Sequence, residues 1–68
     1  MKYYRLMFIE AEQYQGRSTI LGLDINEGYI EEKNLFVWKG EWLVRDELGI
    51  YSVYANDTFK KKNFKEIL

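Results

Sequence analysis

The chain has 68 residues and a net charge of -1, with 47% hydrophobic and 31% charged residues. This length suits one compact domain, which we expect to span residues 1–68, and it is too short for a two-domain enzyme. Because the sequence contains neither cysteine nor histidine, it excludes disulfide scaffolds and Cys/His metal sites, and it lacks the side chain best suited to proton transfer near neutral pH. We therefore expect no cofactor, no metal ion and no enzymatic activity.

The start of the chain contains one short apolar run, residues 6–9. A signal-peptide core needs a longer run, and a membrane helix needs roughly 20 apolar residues. We therefore expect a cytoplasmic protein that has no membrane partner. The slightly acidic net charge also argues against a main task of binding phosphates, so nucleic acid is not an expected partner.

The first half of the chain predicts strands separated by turns. Residues 2–14 are rich in aromatic and β-branched residues and alternate in polarity towards their end, which is typical of a strand with one wetter face. After a turn, residues 19–25 form a second apolar stretch, in which Gly22 indicates a bulge or a close backbone contact. Residues 26–28 are another turn signal, and residues 29–34 are ambiguous between strand and loop.

The second half predicts a β-hairpin, a further strand and a helical turn. Residues 35–38 and 42–45 flank a tight turn in which Gly40 would supply a positive φ. A second turn leads into an alternating strand over residues 50–54, and the polar residues 56–58 offer an N-terminal cap for a short helix. About five short strands with one C-terminal helical turn predict a mainly β fold, either a small antiparallel barrel or a rolled sheet.

Several side chains have predicted structural roles. Phe59 and Phe64 are expected to hold the helical turn against the sheet. Gln13 shares a strand face with apolar residues, so we expect its amide to hydrogen-bond to the backbone of a turn. Glu10 and Glu12 share the other face, roughly 7 Å apart. Paired carboxylates at such distances can cleave glycosidic bonds, but a chain of this length offers no deep cleft, and we interpret both as solvated.

Two segments of the chain carry a recognisable pattern. The second half contains an ordered series of glycine, acidic, aromatic, aliphatic and basic residues: Gly40, Glu41, Trp42, Leu43, Val44, Arg45, Gly49, Tyr51, Phe59, Lys60, Lys61 and Phe64. Residues 9–14 add the opening series Ile-Glu-Ala-Glu-Gln-Tyr. Together these segments resemble a family of small phage and prophage proteins of unassigned function, and a phage-encoded protein is expected in the host cytoplasm. The family's usual proline near the start is absent here, Glu12 stands where an aliphatic residue is usual, and the middle is shorter.

The aromatic residues are the candidate binding residues. They make up 18% of the chain, which is more than one small core needs, so some are expected on the surface. In the predicted hairpin Trp38 and Trp42 lie on opposite faces of the sheet, so one ring is expected in the core and the other in solvent. We expect the exposed tryptophan to bind a partner together with Tyr51, Tyr54 and Arg45.

These residues and the resemblance lead to two hypotheses from different classes. The first is a non-enzymatic phage- or prophage-type binding protein that engages a host protein as an inhibitor, with an exposed aromatic anchor and an acidic rim. The alternative is a homo-oligomer, such as a homodimer, that captures a small anionic ligand such as a nucleotide between subunits. Arg5, Arg17 or Arg45 would then contact the ligand.

A minority interpretation is a stacking platform for single-stranded nucleic acid. It would use Tyr3, Tyr51 and Tyr54, with Arg5 and Arg45 beside them. The acidic net charge counts against it.

Overall fold

The computed structural model describes residues 9–62. Seven short strands lie in this part of the chain: β1 (Glu10–Gln13), β2 (Thr19–Ile20), β3 (Leu23–Asp24), β4 (Tyr29–Ile30), β5 (Leu35–Phe36), β6 (Trp42–Arg45) and β7 (Tyr51–Tyr54). A 3-10 helix (Glu31–Lys33) separates β4 from β5, and helix α1 (Asn56–Lys61) follows β7. The mainly β class is confirmed. The strands form three small antiparallel sheets, and none of these closes into a barrel within residues 9–62.

The largest sheet has three strands in the order β1-β6-β7. Its register places Glu12 opposite Leu43 and Leu43 opposite Val53. Because directly opposed residues project from the same side of a sheet, these three side chains share one face, which we call the core face. Trp42 and Val44 alternate with Leu43 and therefore lie on the opposite face.

The hairpin β2-β3 is closed by Leu21 and Gly22, with φ of 47° and 75°. Two consecutive positive φ angles characterise the type I′ turn, whose twist matches that of the paired strands. Gly22 therefore lies in a turn and not inside a strand, so the predicted bulge is wrong. The apolar stretch is split because its central dipeptide adopts left-handed backbone.

The hairpin β4-β5 accounts for the ambiguous segment. Strand residues Tyr29 and Ile30 pair with Phe36 and Leu35, and the 3-10 helix connects the two strands. Asn34 ends this helix in the left-handed region, at φ 52° and ψ 47°, and its side-chain Oδ1 accepts a hydrogen bond from the Tyr29 hydroxyl at 2.7 Å. The segment is both strand and helix because it contains one arm and the loop of a single hairpin.

Both hairpins pack on the core face of the three-stranded sheet. Five aliphatic side chains, each at most 4% exposed, form this core: Ile20, Ile25, Ile30, Val37 and Leu43. They come from the two hairpins, the segments that follow them and the central strand β6. Each buried side chain of this size stabilises the fold by about 1.5–3 kcal/mol, so the core fixes the hairpins on the sheet.

The predicted hairpin of residues 35–38 with residues 42–45 is wrong in its pairing, although its turn exists. The Glu41 N–H donates to the Trp38 carbonyl at 2.9 Å, and Gly40 has φ 94°. However, β5 pairs with β4, and β6 pairs with β1 and β7. The Val37 N–H donates to the Gly28 carbonyl at 2.7 Å, which continues the pairing of β5 with β4 by one residue and keeps this segment away from β6.

The turn between β6 and β7 agrees with its prediction. The Gly49 N–H donates to the Asp46 carbonyl at 3.0 Å, and Gly49 has φ 79°. The Asp46 carboxylate also accepts the N–H groups of Leu48 and Ile50, each at 2.9 Å. A carboxylate that bonds the backbone two residues ahead is a common way to fix such a turn.

Helix α1 begins without a side-chain cap, so the predicted cap at residues 56–58 is wrong. Ala55 occupies the cap position, and the Asn56 side chain accepts a hydrogen bond from the Trp42 indole instead. Phe59 lies against the sheet, as predicted, and Phe64 lies outside the described residues. No helix within residues 9–62 has the length and apolar character needed to cross a membrane.

Candidate functional site

The five predicted binding residues lie in three separate places. Trp38 follows β5 on the surface. Trp42 and Tyr54 are cross-strand neighbours on the face opposite the core, whereas Arg45 and Tyr51 are cross-strand neighbours on the core face. Tyr51 and Tyr54 therefore project from opposite sides of the sheet, so they do not share a platform on which nucleotide bases could stack.

Trp42 is held by contacts within the chain. Its ring stacks on Phe59, with 4.1 Å between the centroids and 7° between the planes. Its indole N–H donates to the Asn56 Oδ1 at 2.9 Å. The ring is half-buried. Because its face and its polar atom both have partners, Trp42 serves to attach the helix to the sheet.

Arg45 and Tyr51 are also engaged. Arg45 forms an ion pair with Glu10, its cross-strand partner in β1. The hydrogen bond that Arg45 donates to Glu10, together with one that it donates to the Tyr51 hydroxyl oxygen, raises the pKa of the Arg45 guanidinium above its ordinary value. Tyr51 packs against the core, and the Lys33 ammonium lies 4.8 Å from its ring centroid. The positive charge of Arg45 is thus already balanced by a carboxylate.

Phe36 and Trp38 form an exposed aromatic surface in the part of the chain that the structure describes. Their side chains are 66% and 75% exposed, whereas Val37 between them is 2% exposed. In extended chain, alternate residues project to the same side, so burial of Val37 turns both rings outwards. We call these two residues and the groove beside them the Phe36–Trp38 surface. The groove has a volume of about 340 Å³, and its other walls come from Tyr14, Glu27, Gly28 and Lys39.

The turn that carries Trp38 is fixed by five hydrogen bonds. The Trp38 N–H donates to the Glu41 Oε1 at 2.7 Å, and the Glu41 N–H donates to the Trp38 carbonyl at 2.9 Å. The Gly40 N–H donates to the Tyr14 carbonyl, and the Tyr14 N–H donates to the Glu41 carbonyl. The Gln13 amide donates to the Gly40 carbonyl at 3.0 Å, which confirms the turn-fixing role predicted for Gln13.

The Trp38 ring itself is unengaged. Within the described part of the chain, its indole N–H donates no hydrogen bond and its ring stacks on no other ring. The two tryptophans therefore differ sharply. Trp42 joins the helix to the sheet, whereas Trp38 presents an apolar ring and a free donor from a rigid turn.

A second exposed apolar pair lies at the turn between β6 and β7. Leu48 and Ile50 are 79% and 56% exposed. The concave surface next to them includes Glu10, Asp46 and Arg45, the last of which is already paired. This region is more polar than the Phe36–Trp38 surface and holds no aromatic ring, so it serves as a comparison for experiments on that surface.

Sequence reasoning missed Phe36, Glu41 and the groove as parts of the site. The series Leu-Phe-Val-Trp at residues 35–38 did contain a signal, because two aromatics at alternate positions share one face of an extended chain. The direction of that face depends on Val37, whose burial results from contacts with residues distant in sequence. Gly28 forms part of the wall of the groove because the same packing of Val37 brings it there.

Comparisons of this chain with protein-family models, curated proteins and solved structures return no match. The resemblance to small phage and prophage proteins therefore rests on the residue pattern in the sequence. The function has to be argued from the chemistry of the surface.

Proposed function

We propose that the protein is a non-enzymatic binding protein of the phage or prophage type that engages a host protein through the Phe36–Trp38 surface and inhibits it. The single observation that carries the proposal is the display of two large aromatic side chains, 66% and 75% exposed, on backbone held in place by hydrogen bonds. Tryptophan is enriched among the residues that dominate binding energy at protein interfaces.

The energetics favour a partner that covers both rings. Full burial of an aromatic side chain yields about 1.5–3 kcal/mol relative to leaving it in water. Ordering loose side chains at an interface costs about 0.5–1.5 kcal/mol for each one. Since the turn at Trp38 is already fixed by Glu41 and Tyr14, its backbone is ordered before the partner arrives.

The rim of the surface suits a protein partner. Glu27 and Lys39 border the groove and are exposed, which gives the apolar centre the polar edge typical of protein interfaces. The two rings project from the molecule and do not line a closed cavity. A segment of the partner that lies in the open groove and against both rings would therefore be complementary to this surface.

The alternative of anionic ligand capture between subunits has weaker support. Arg45, one of the arginines expected to contact the ligand, is paired with Glu10 and hydrogen-bonded to Tyr51. An anion would have to displace the Glu10 carboxylate. Arg17 is exposed, and Arg5 lies outside the described residues. A homodimer remains one outcome of the experiment that follows.

The test is photo-crosslinking in a lysate of the native host, with a benzophenone amino acid placed at position 36 or at position 48. We expect a host protein to be crosslinked in stoichiometric amount from position 36 but not from position 48. Trp38→Ser should reduce capture of that protein at least about tenfold, a loss of about 1.4 kcal/mol or more, whereas Leu48→Ser should leave it unchanged.

The two serine variants are a matched pair because Trp38 and Leu48 are comparably exposed, at 75% and 79%. Both should keep the backbone amide spectrum of the wild type outside the mutated turn. Equal capture by Trp38→Ser and the wild type would refute the proposal. Crosslinks exclusively to a second copy of the chain would support the homo-oligomer in its place.

A further inference from the structure

We propose that the Phe36–Trp38 surface recognises an extended, proline-containing segment that carries an acidic side chain next to Lys39. The inference rests on the proposed function, because it names the chemistry of the partner at that same surface. Three properties of the groove support it: its aromatic walls, a hydrogen-bond donor with no acceptor among residues 9–62, and a lysine with no ion pair among those same residues.

The aromatic walls and the donor match the needs of a polyproline II helix. Such a chain has no internal hydrogen bonds, so its carbonyl groups remain available as acceptors. The Trp38 indole N–H has no acceptor within residues 9–62 and can donate to one of these carbonyls. The rings of Tyr14, Phe36 and Trp38 all border the groove, and proline-rich segments dock into aromatic-lined grooves.

Addition of a strand to β5 is a poorer explanation. Strand addition draws its affinity from a row of main-chain hydrogen bonds, and β5 has two residues, Leu35–Phe36. The next N–H along the chain, that of Val37, is already donated to the Gly28 carbonyl. A ligand at the Phe36–Trp38 surface therefore binds mainly to side chains and not to main-chain N–H and C=O groups.

An amphipathic helix also fits poorly. With its side chains, a helix is about 10–12 Å in diameter and binds through anchors spread over two turns. The groove has a volume of about 340 Å³, which is near the lower end of the roughly 300–1,000 Å³ found for ligand pockets. A narrow extended chain matches this size better than a helix does.

The charges at the groove determine where an acidic residue of the ligand can lie. Lys39 is exposed and makes no ion pair with any of residues 9–62. The carboxylate of Glu41, close by in sequence, already accepts the Trp38 N–H. Glu27 also borders the groove and repels an acidic residue placed beside it. The complementary ligand therefore places its carboxylate at Lys39 and a neutral or basic residue at Glu27.

The experiment is a titration of the ¹⁵N-labelled full chain with two synthetic octapeptides, observed through the indole N–H signals. One peptide has seven prolines and one glutamate, and in the other a glutamine replaces the glutamate, so that both can place a neutral residue at Glu27. The chain has two tryptophans, and Trp42, whose N–H is bonded to Asn56, is an internal reference. We expect the glutamate peptide to shift the Trp38 signal saturably, to leave the Trp42 signal in place and to bind at least about threefold more tightly than the glutamine peptide.

The Lys39→Glu variant is the matched control for the charge. It should reverse the preference, so that the glutamine peptide binds more tightly. The inference is overturned if neither peptide shifts the Trp38 signal at millimolar concentration, if both bind equally, or if Lys39→Glu leaves the preference unchanged. A crosslink from position 36 to a helical segment of the partner would also overturn it.

Failure of this inference can be distinguished from failure of the proposed function. If the peptides do not bind while capture of a host protein still depends on Trp38, only the proline-containing ligand is wrong. If the glutamate peptide binds as expected while host-protein capture is indifferent to Trp38, the inference about the groove stands and the host-protein target is wrong.

Discussion

The Trp42 indole and the Phe59 ring lie almost parallel, with 4.1 Å between their centroids. Helix α1 has six residues, and isolated helices of this length are not stable in water. The stacked pair, together with the hydrogen bond from the Trp42 indole to Asn56, therefore holds the helix on the sheet. It also explains why Asn56 does not cap the helix.

Phe59→Leu is expected to destabilise the fold by about 1 kcal/mol, because leucine keeps apolar contact but loses the ring-on-ring interaction. Urea unfolding measures the change. Trp38→Leu is the matched control, since the Trp38 ring is 75% exposed and stacks on no other ring of residues 9–62, and it should change stability by less than about 0.5 kcal/mol. Equal losses for the two variants would show that the stacked pair does not hold the helix.

Gly28→Ala is expected to be more damaging than Gly22→Ala. Gly28 lies in the tight turn between β3 and β4, which is closed by two backbone hydrogen bonds between Asn26 and Tyr29. Gly28 has φ 85°, and a Cβ added there would lie 2.7 Å from the Val37 carbonyl oxygen. The left-handed backbone costs about 1–2 kcal/mol for a residue with a Cβ, and relief of the clash adds roughly 1–3 kcal/mol.

Gly22→Ala separates the two contributions to that loss. Gly22 has φ 75°, but a Cβ there meets no atom within 4 Å. In urea unfolding, Gly22→Ala should lower the free energy of unfolding only by the cost of the left-handed backbone, about 1–2 kcal/mol. If Gly22→Ala and Gly28→Ala prove equally unstable, the close approach of Val37 to Gly28 is not energetically important.

Glu12→Ala is expected to destabilise the protein by about 1.5 kcal/mol or more, because hydrogen bonds to charged groups contribute about 1.5–3 kcal/mol. The half-buried Glu12 carboxylate accepts the N–H of Leu21 at 3.1 Å and so joins β1 to the turn of the neighbouring hairpin. Glu10→Ala, on the same strand face but exposed, should have a much smaller effect in the same unfolding assay. The reverse order would contradict this role.

Glu12 also shows which parts of the fold were accessible to sequence reasoning. Alternation in residues 9–14 indicated the strand, but the wetter face and the solvated state expected for Glu12 were wrong, because Glu12 lies on the core face opposite Leu43 and is half-buried. A carboxylate on a strand face is solvated unless another segment covers it. The Leu21–Gly22 turn does so here, and its position depends on the core packing of Ile20 and not on any local pattern.

Turns were predicted better than strand partners, for a similar reason. The turns at Gly40 and Gly49 are encoded by residues that tolerate left-handed backbone, so their signal is local. The partner of β5 is decided by a hydrogen bond from Val37 to Gly28 and by burial of Val37. No local residue pattern indicates these two contacts of Val37. Because Val37 points into the core, the neighbouring Trp38 side chain points into solvent.

Because Arg45 is paired with Glu10, we expect its contribution to the free energy of unfolding to be independent of pH between neutral and mildly alkaline conditions. The pairing raises the pKa of Arg45 in the folded protein. The stabilisation that the ion pair gives is therefore fully present at any pH below the pKa that Arg45 has in the unfolded chain. It is lost only as the pH rises through the higher folded value, which is strongly alkaline. The stability difference between wild type and Arg45→Gln in urea should therefore be the same at neutral and at mildly alkaline pH. A difference that shrinks over this interval would contradict the assignment.

The two tryptophans should respond very differently to a soluble quencher. In Trp42→Phe all tryptophan fluorescence comes from Trp38, which is 75% exposed, and in Trp38→Phe it comes from the half-buried Trp42. We expect acrylamide to quench Trp42→Phe several-fold more strongly, with emission at longer wavelength. Trp42→Phe loses one hydrogen bond, worth about 0.5–1.5 kcal/mol, so circular dichroism must first show that it remains folded. Similar quenching of the two folded variants would mean that the Trp38 ring is covered, and the Phe36–Trp38 surface would then not be available to a partner.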